Sequence, residues 1–99
     1  MNSYLFNKVG LWGYRHYEYF KQNQPTTIHV MRMNGKLESY LKQVNDDAEE
    51  MLFQTVKQIA KAEGVNEALK AYDQLEWVRR MNSIRNRAQE IVLNELIYS

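Results

Sequence analysis

The chain has 99 residues, with 13 Lys or Arg and 12 Asp or Glu, so its net charge is +1. This length predicts a single domain, residues 1–99, and the small net charge is weaker than the basic excess typical of DNA-binding domains. The absence of cysteine excludes disulfides and thiolate metal sites, and no apolar run approaches the ~18 residues of a membrane span. The first ten residues lack the apolar core of a secretory signal, so we expect a cytoplasmic protein without a membrane segment.

Charge is divided unevenly along the chain. Residues 1–43 hold six basic and two acidic side chains, residues 44–78 hold three and eight, and residues 79–99 hold four and two. The pattern is therefore basic, acidic, basic. Two explanations are open, namely attraction of the basic parts to a polyanion and neutralisation between segments of the same chain.

The N-terminal third predicts two short helices. Residues 1–9 have no clear period and are interpreted as an extended or frayed lead-in. Residues 10–22 are predicted to be helical because aromatic side chains recur at helical spacing, at Trp12, His16, Tyr19 and Phe20. The residue before Pro25 ends this helix, since it avoids helical geometry, and a second short helix follows over residues 26–34.

The rest of the chain predicts a long antiparallel hairpin. Residues 36–63 carry an apolar stripe at helical spacing, and residues 66–98, which contain no Gly or Pro, form the second arm. Gly64 fits the left-handed position after a helix, and Asn66 fits the cap of the next one. Two long helices joined by so short a turn must lie antiparallel. The predicted fold is all-α, with the two short N-terminal helices packed on this hairpin.

The apolar face of the second arm changes sides near Trp77. Beyond this point the apolar side chains form one core stripe, made by Trp77, Met81, Ile84, Ala88, Ile91 and Val92. The earlier apolar side chains cluster on nearly the opposite side, at Ala68, Ala71, Tyr72, Leu75 and Val78. Either the helix has a partner on each side or it kinks near Trp77.

The last turns of the second arm are apolar on almost all sides, which is typical of a buried helix. Their cover comes either from other helices of the chain or from a second subunit. We predict a homodimer that packs through Leu93, Leu96 and Ile97. Tyr14 and Tyr17 are interpreted as exposed aromatics that join a partner interface, because tyrosine is frequent in binding hot spots, although both fit a core equally well.

No residue pattern identifies a reaction. His16 and His29 lack metal-ligand spacing, and none of the four glycines belongs to a phosphate-binding loop. No nucleophile motif occurs in the sequence, so we expect no enzymatic activity, no metal and no cofactor. His16 is interpreted as a core histidine, and the acidic cluster at residues 46–50 as a solvated helix face.

The arginines of the second arm form the most suggestive basic cluster. Arg80 and Arg87 align at i, i+7, and Arg85 borders the core stripe, where we expect a partly buried structural contact. Glu76 is spaced to pair with Arg80, and Glu90 with Arg87. Because arginine also suits phosphate contact, both helix salt bridges and DNA contacts are consistent with this cluster.

Several segments of the chain stand out together. The C-terminal ones are AEGV at 62–65, EALKA at 67–71 and QLEWVRRMNSIRNRAQEIVLNELIY at 74–98. The upstream ones are GLWGY at 10–14, FK at 20–21 with Pro25, GKL at 35–37 and SYL at 39–41. In this combination the chain resembles the transposon-encoded TnpV family of small proteins from mobile genetic elements.

The resemblance implies an accessory role in a mobile element, with excisionase-like DNA binding and with DNA or a recombinase as the partner. The side chains that we assign to phosphate contact are Arg15, Lys21, Arg32, Lys36, Arg80 and Arg87. The chain departs from the family in its first helix, where tyrosines replace much of the basic charge and weaken phosphate contact. The alternative is a helical protein-binding module that inhibits a host or defence protein, of the anti-CRISPR type.

Overall fold

The computed structural model describes residues 3–99, which form a helical rod of 55 × 23 × 19 Å without any β-strand in that range. Its helices are α1 (Ser3–Asn23), α2 (Pro25–Met33), α3 (Leu37–Ala62), α4 (Glu67–Tyr72) and α5 (Gln74–Val92), followed by a π-helical turn at Leu93–Ile97. Helices α3 and α5 form the predicted hairpin, and α1 and α2 pack on it. The all-α fold class is confirmed.

The chain becomes helical earlier than the sequence pattern predicts. The extended lead-in is wrong for residues 3–9, which belong to α1, while residues 1 and 2 lie outside the described part of the chain. Leu5 and Val9 lie one helical turn apart and are both buried in a cluster with the first turns of α3. The part of α1 before Gly10 is short, and isolated helices of this length are marginal in water. It therefore owes its stability to this packing against α3.

Gly10 interrupts α1 because its backbone adopts φ 84° and ψ 174°, far from helical geometry. The break frees the backbone amides that follow it, just as at the start of any helix. Asn45 of α3 satisfies them, because its Oδ1 accepts from the Trp12 amide at 2.9 Å and from the Gly13 amide at 3.2 Å. Asn45 of α3 thus caps the segment of α1 that follows Gly10.

Gly13 sets the distance between α1 and α3. A Cβ atom at this position would lie 2.5 Å from the Leu41 carbonyl oxygen and 3.2 Å from the Cβ of Val9. Only glycine leaves room for this approach of two backbones. The GLWGY segment therefore combines a glycine that breaks the helix with a second glycine that permits close packing.

The second arm of the hairpin is two helices, not one. Asp73 has non-helical φ −147° and ψ 89°, and its Oδ1 accepts from the Glu76 amide at 3.1 Å, so it caps α5. A break therefore occurs at Asp73, close to the predicted kink near Trp77, while Leu75 and Val78 of the earlier apolar face belong to α5 together with Trp77. The predicted cap at Asn66 is confirmed, since its Oδ1 accepts a backbone hydrogen bond of 2.9 Å at the start of α4.

Helix α1 covers the apolar C-terminal turns. Val92 and Ile97 are fully buried in a cluster that Trp12 of α1 completes. His16 is also buried, as predicted, and its Nδ1–H donates to the Ile97 carbonyl at 2.9 Å. The Nε2 atom of the same ring lies 2.8 Å from the Tyr40 hydroxyl, and burial raises the pKa of that phenol. The cover that these turns required is thus supplied within the chain.

Three apolar clusters follow one another along the rod. The first cluster contains Leu5, Val9, Tyr14, Tyr17, Ile28, Leu37 and Leu41. The second contains Trp12, Ala48, Val92 and Ile97, and the third, at the distal end, contains Val65, Met81 and Ile84. The predicted core stripe of α5 is mostly confirmed, but Ile91 is exposed because it lies at the edge of the stripe away from α3.

Replacing Asn45 with Ala tests the cap on α1. We expect the free energy of unfolding to fall by roughly 2–4 kcal/mol, because two buried amides lose their acceptor. Urea denaturation followed by circular dichroism measures this change. The matched control is Asn86→Ala at an exposed position of α5, which we expect to change stability by about 0.5 kcal/mol at most. Equal losses in the two variants would contradict the role of the cap.

Candidate functional site

The fold collects the basic N-terminal segment at one end of the rod. We define the N-terminal lobe as residues 3–43, which comprise α1, α2 and the first turns of α3. The lobe holds six Lys or Arg against two Asp or Glu, whereas residues 44–99 hold seven against ten. The segregation of charge seen in the sequence therefore becomes a separation in space, with a basic end and an acidic remainder.

Three of the six predicted phosphate-contacting residues lie in one corner of the N-terminal lobe. The Lys21 ammonium lies 5.5 Å from the centre of the Tyr17 ring, and the Arg32 guanidinium donates to the Tyr17 hydroxyl at 3.1 Å. Lys36 lies in the turn that follows α2, whose backbone bonds back to that helix. Lys21 also pairs with Glu18 at 3.5 Å, but all three cations remain exposed.

Arg15 is placed differently from these three cations. It is half-buried, and its guanidinium stacks 5.1 Å from the centre of the Trp12 ring. It lines a groove of about 410 Å³ together with aromatic side chains that include Tyr19 and Tyr98. Its charge therefore contributes to the field of the lobe, while its donors are partly withdrawn from solvent.

Arg80 and Arg87 lie outside the N-terminal lobe, and carboxylates hold both of them. Arg80 pairs with Glu76 at 2.7 Å, as predicted, and Arg79 shares the same carboxylate. Arg87 makes two hydrogen bonds to Glu63 of α3, at 2.6 and 3.0 Å. The partner predicted for Arg87 was the neighbouring Glu90, which is wrong, because hairpin packing brings a residue of the other arm closer. The six cations thus do not form one surface.

The Arg87 hydrogen bonds lower the pKa of Glu63. The hydrogen bond is the main cause of this lowering. Loss of hydration raises the pKa of Glu63 in opposition, and the positive charges of Arg87 and Arg80 lower it further. The pair is exposed to solvent, so its contribution to stability is small. The arrangement nevertheless links the end of α3 to α5 across the hairpin.

The residues predicted to contact a partner are mostly covered. Tyr14 and Tyr17 are buried in the N-terminal lobe, so their interpretation as exposed aromatics is wrong; α2 and the segment before Gly10 enclose them. Ile97 is fully buried, and Leu93 and Leu96 pack half-buried against the same cluster. These turns leave little apolar surface free for a second chain, and the homodimer stays a prediction.

An exposed apolar surface lies at the distal end, where the helical period did not predict a site. Tyr72 and Leu75 are 91% and 84% exposed, so the second apolar face of the C-terminal arm has no partner within the described chain. Arg85 is exposed as well, and the partly buried contact expected for it is wrong, because it borders an open groove between α3 and α5. The helical period revealed the face but not whether it is covered.

Residues 3–99 provide no metal site and no membrane-spanning helix. No group of three or more His, Asp or Glu side chains in this range could hold a metal ion. None of the helices described combines the length and the apolar character that crossing a bilayer requires. The candidate sites are therefore the basic N-terminal lobe and the distal apolar surface.

Comparison with known proteins identifies the family. The model of the family described as transposon-encoded protein TnpV matches residues 3–97, nearly the whole chain. The chain therefore belongs to the TnpV family, as its sequence segments predicted, and it is a transposon-associated accessory protein. Neither the curated proteins nor the solved structures contain a match.

Replacing Arg87 with Gln tests the ion pair that holds it. We expect the pKa of Glu63 to rise toward its ordinary value, because the main cause of its lowering is removed. A titration of the Glu63 carboxyl by NMR measures the change. The control is Arg85→Gln, which removes the same charge from α5 without touching Glu63, and we expect it to leave that pKa unchanged.

The same pair predicts the direction of a pH effect on stability. Because the pKa of Glu63 is lowered by folding, its stabilising contribution is present above the ordinary pKa and is lost as the pH falls through the lowered one. The difference in stability between wild type and Arg87→Gln should shrink over that acidic range. A difference that stays constant there would contradict the ion pair.

Proposed function

We propose that this TnpV-family protein assists its mobile element by binding the phosphate backbone of DNA with its N-terminal lobe. The observation that carries the proposal is the excess of six basic over two acidic side chains in residues 3–43. A clustered basic surface attracts the polyanionic backbone and gains affinity from the release of condensed cations. The acidic remainder of the rod then orients the lobe toward the DNA.

Lys21, Arg32 and Lys36 are the contacts that we propose for the phosphates. Tyr17 holds two of these side chains, since its ring faces Lys21 and its hydroxyl accepts from Arg32. Side chains that are already positioned lose less conformational freedom when they bind. Arg80 and Arg87 are not part of the proposed contact, because Glu76 and Glu63 compete for them.

Phosphate contacts position a protein on DNA but do not read its sequence. We therefore assign the choice of site to a recombinase of the same element, and the present protein to the binding of adjacent DNA. This proposal requires no catalytic group, metal or cofactor in the chain, and it places the protein with the DNA in the cytoplasm.

A second candidate function is the binding of a host or defence protein. The exposed side chains of Tyr72 and Leu75 favour it, since tyrosine and apolar side chains anchor protein interfaces. The two functions separate cleanly by experiment, because only the first depends on the basic lobe and on salt.

Binding to mixed-sequence duplex DNA, measured by fluorescence anisotropy at several salt concentrations, tests the first function. We expect the logarithm of the binding constant to fall with the logarithm of salt with a slope of about −3 per chain, because each of the three proposed contacts contributes about −0.9. Replacing Lys21, Arg32 and Lys36 together by Ala should flatten that slope by about three units, since each removes one phosphate contact.

The matched control replaces Lys61, Lys70 and Arg79 by Ala, which removes the same charge from exposed positions outside the lobe. We expect this variant to keep the wild-type slope. An equal loss in both variants would show that only net charge matters. The absence of binding at ~50 mM salt, where attraction is strongest, would refute DNA binding and leave protein binding as the function.

A further inference from the structure

A continuous exposed stripe runs along one side of α5. Its members recur at alternating steps of three and four residues, so they lie on one face of the helix. They are Leu75, Val78, Asn82, Arg85 and Gln89, all of them exposed. The next member of the series is Val92, which Trp12 of α1 buries. The same face of α5 is therefore covered at one end of the rod and open at the other.

Helix α3 continues in the same way on the facing side. Asn45 is covered by α1, and its side-chain amide donates to Glu49 one turn later at 3.5 Å. Beyond Glu49, the side chains of Leu52, Phe53 and Val56 line an open groove of about 370 Å³ with Arg85 and Gln89 of α5. This groove lies between α3 and α5, on the distal side of the part of α3 that α1 covers.

Exposed apolar side chains lie at the tip of the hairpin, which we define as residues 67–78. At the break before α5, Tyr72 and Leu75 are 91% and 84% exposed, and Val78 follows at 41%. Phe53, at the groove, is itself 58% exposed. The tip and the groove lie on the same side of α5 but at different positions along its axis. Leu75 lies at the start of the stripe, whereas Arg85 and Gln89 lie further along it, beside the groove.

We propose that a second copy of the chain covers this surface, with the tip of each copy lying in the groove of the other. A two-fold axis between tip and groove pairs the two elements reciprocally, so one contact creates both. The apolar stripe of the tip would then occupy the position that a third helix takes beside α3 and α5. The homodimer predicted from the C-terminal turns is thereby assigned to a different surface.

The charges around tip and groove match this pairing. Lys57 and Arg85 border the groove together with Glu49, which accepts from the Asn45 amide, and within residues 3–99 neither cation forms an ion pair. The tip presents Glu67 and Asp73, both exposed, while the Lys70 ammonium between them lies 4.7 Å from the centre of the Trp77 ring. In the two-fold arrangement the acidic edge of each tip approaches the basic edge of the partner's groove. Opposite charges at a rim favour this register over others.

The dimensions of the rod allow an interface of sufficient size. A stable interface buries about 800 Å² on each partner. Overlap of the distal halves along one long face of a 55 × 23 × 19 Å body approaches this area. The two N-terminal lobes then lie at opposite ends of the dimer, where neither blocks the other. The inference does not depend on DNA binding.

Disulfide trapping tests the arrangement, since the natural chain contains no cysteine. We propose single variants Leu75→Cys and Phe53→Cys, both at exposed positions that tolerate substitution without loss of the fold. Under mild oxidation at ~100 μM, an equimolar mixture should give a cross-linked 75–53 dimer, because a disulfide requires Cα atoms within about 7 Å. Each variant alone should remain largely uncross-linked, because tip faces groove. The control mixture is Leu75→Cys with Gln58→Cys, an exposed position outside the groove lining, and should give no product.

Sedimentation equilibrium of the full chain supplies an independent measurement. We expect a dimer, with Leu75→Asp raising the dissociation constant at least tenfold and Met33→Asp, at an exposed apolar position of α2, leaving it unchanged. A wild-type chain that is monomeric at ~100 μM would overturn the proposal, as would a 75–75 cross-link, which places tip against tip. Assemblies larger than two chains would also overturn it, because they indicate open head-to-tail contacts.

Discussion

The buried side chain of Asn45 is the interaction on which the rest of the structure depends. Its oxygen accepts from two backbone amides that the break at Gly10 leaves without a helical partner. Unpaired amides at a buried position are costly, so the break and the cap require each other. With both in place, the chain folds back on itself, Leu5 and Val9 join the core, and Gly13 brings α1 against the backbone of α3.

The position of that cap decides which part of the hairpin is covered. Because α1 starts its second segment beside Asn45, Trp12 joins Val92 in one buried cluster and His16 bonds to the carbonyl of Ile97. Helix α1 then continues away from the distal end, and nothing within residues 3–99 replaces it there. One constraint thus produces the closed basic N-terminal lobe and the open apolar groove, which are the two surfaces through which we propose that the protein acts.

Local ion pairs further divide the cations into two groups. The carboxylates of Glu63 and Glu76 hold Arg87 and Arg80 on the hairpin, where hydrogen bonds fix their direction. Arg32 instead donates to the Tyr17 hydroxyl, which carries no compensating charge, and Lys21 lies over the Tyr17 ring and pairs with Glu18 at the longer distance of 3.5 Å. A phosphate that binds Arg80 or Arg87 must therefore displace a carboxylate. A phosphate that binds Arg32 displaces only a neutral hydroxyl. Position and partner, more than residue type, determine which arginine is available.

The sequence by itself determined the all-helical hairpin with two helices before it, the turn at Gly64 and the cap at Asn66, because periodicity and capping are local properties of the chain. It also revealed the family and the basic N-terminal segment. The break at Asp73 was available from its spacing to Glu76, a local capping signal. Only the tertiary structure decided that Tyr14, Tyr17 and Ile97 are buried, that Glu63 holds Arg87, and that Tyr72 and Leu75 remain exposed. Those outcomes depend on contacts between residues far apart in the chain, and a helical period specifies which side of a helix is apolar but not what covers it.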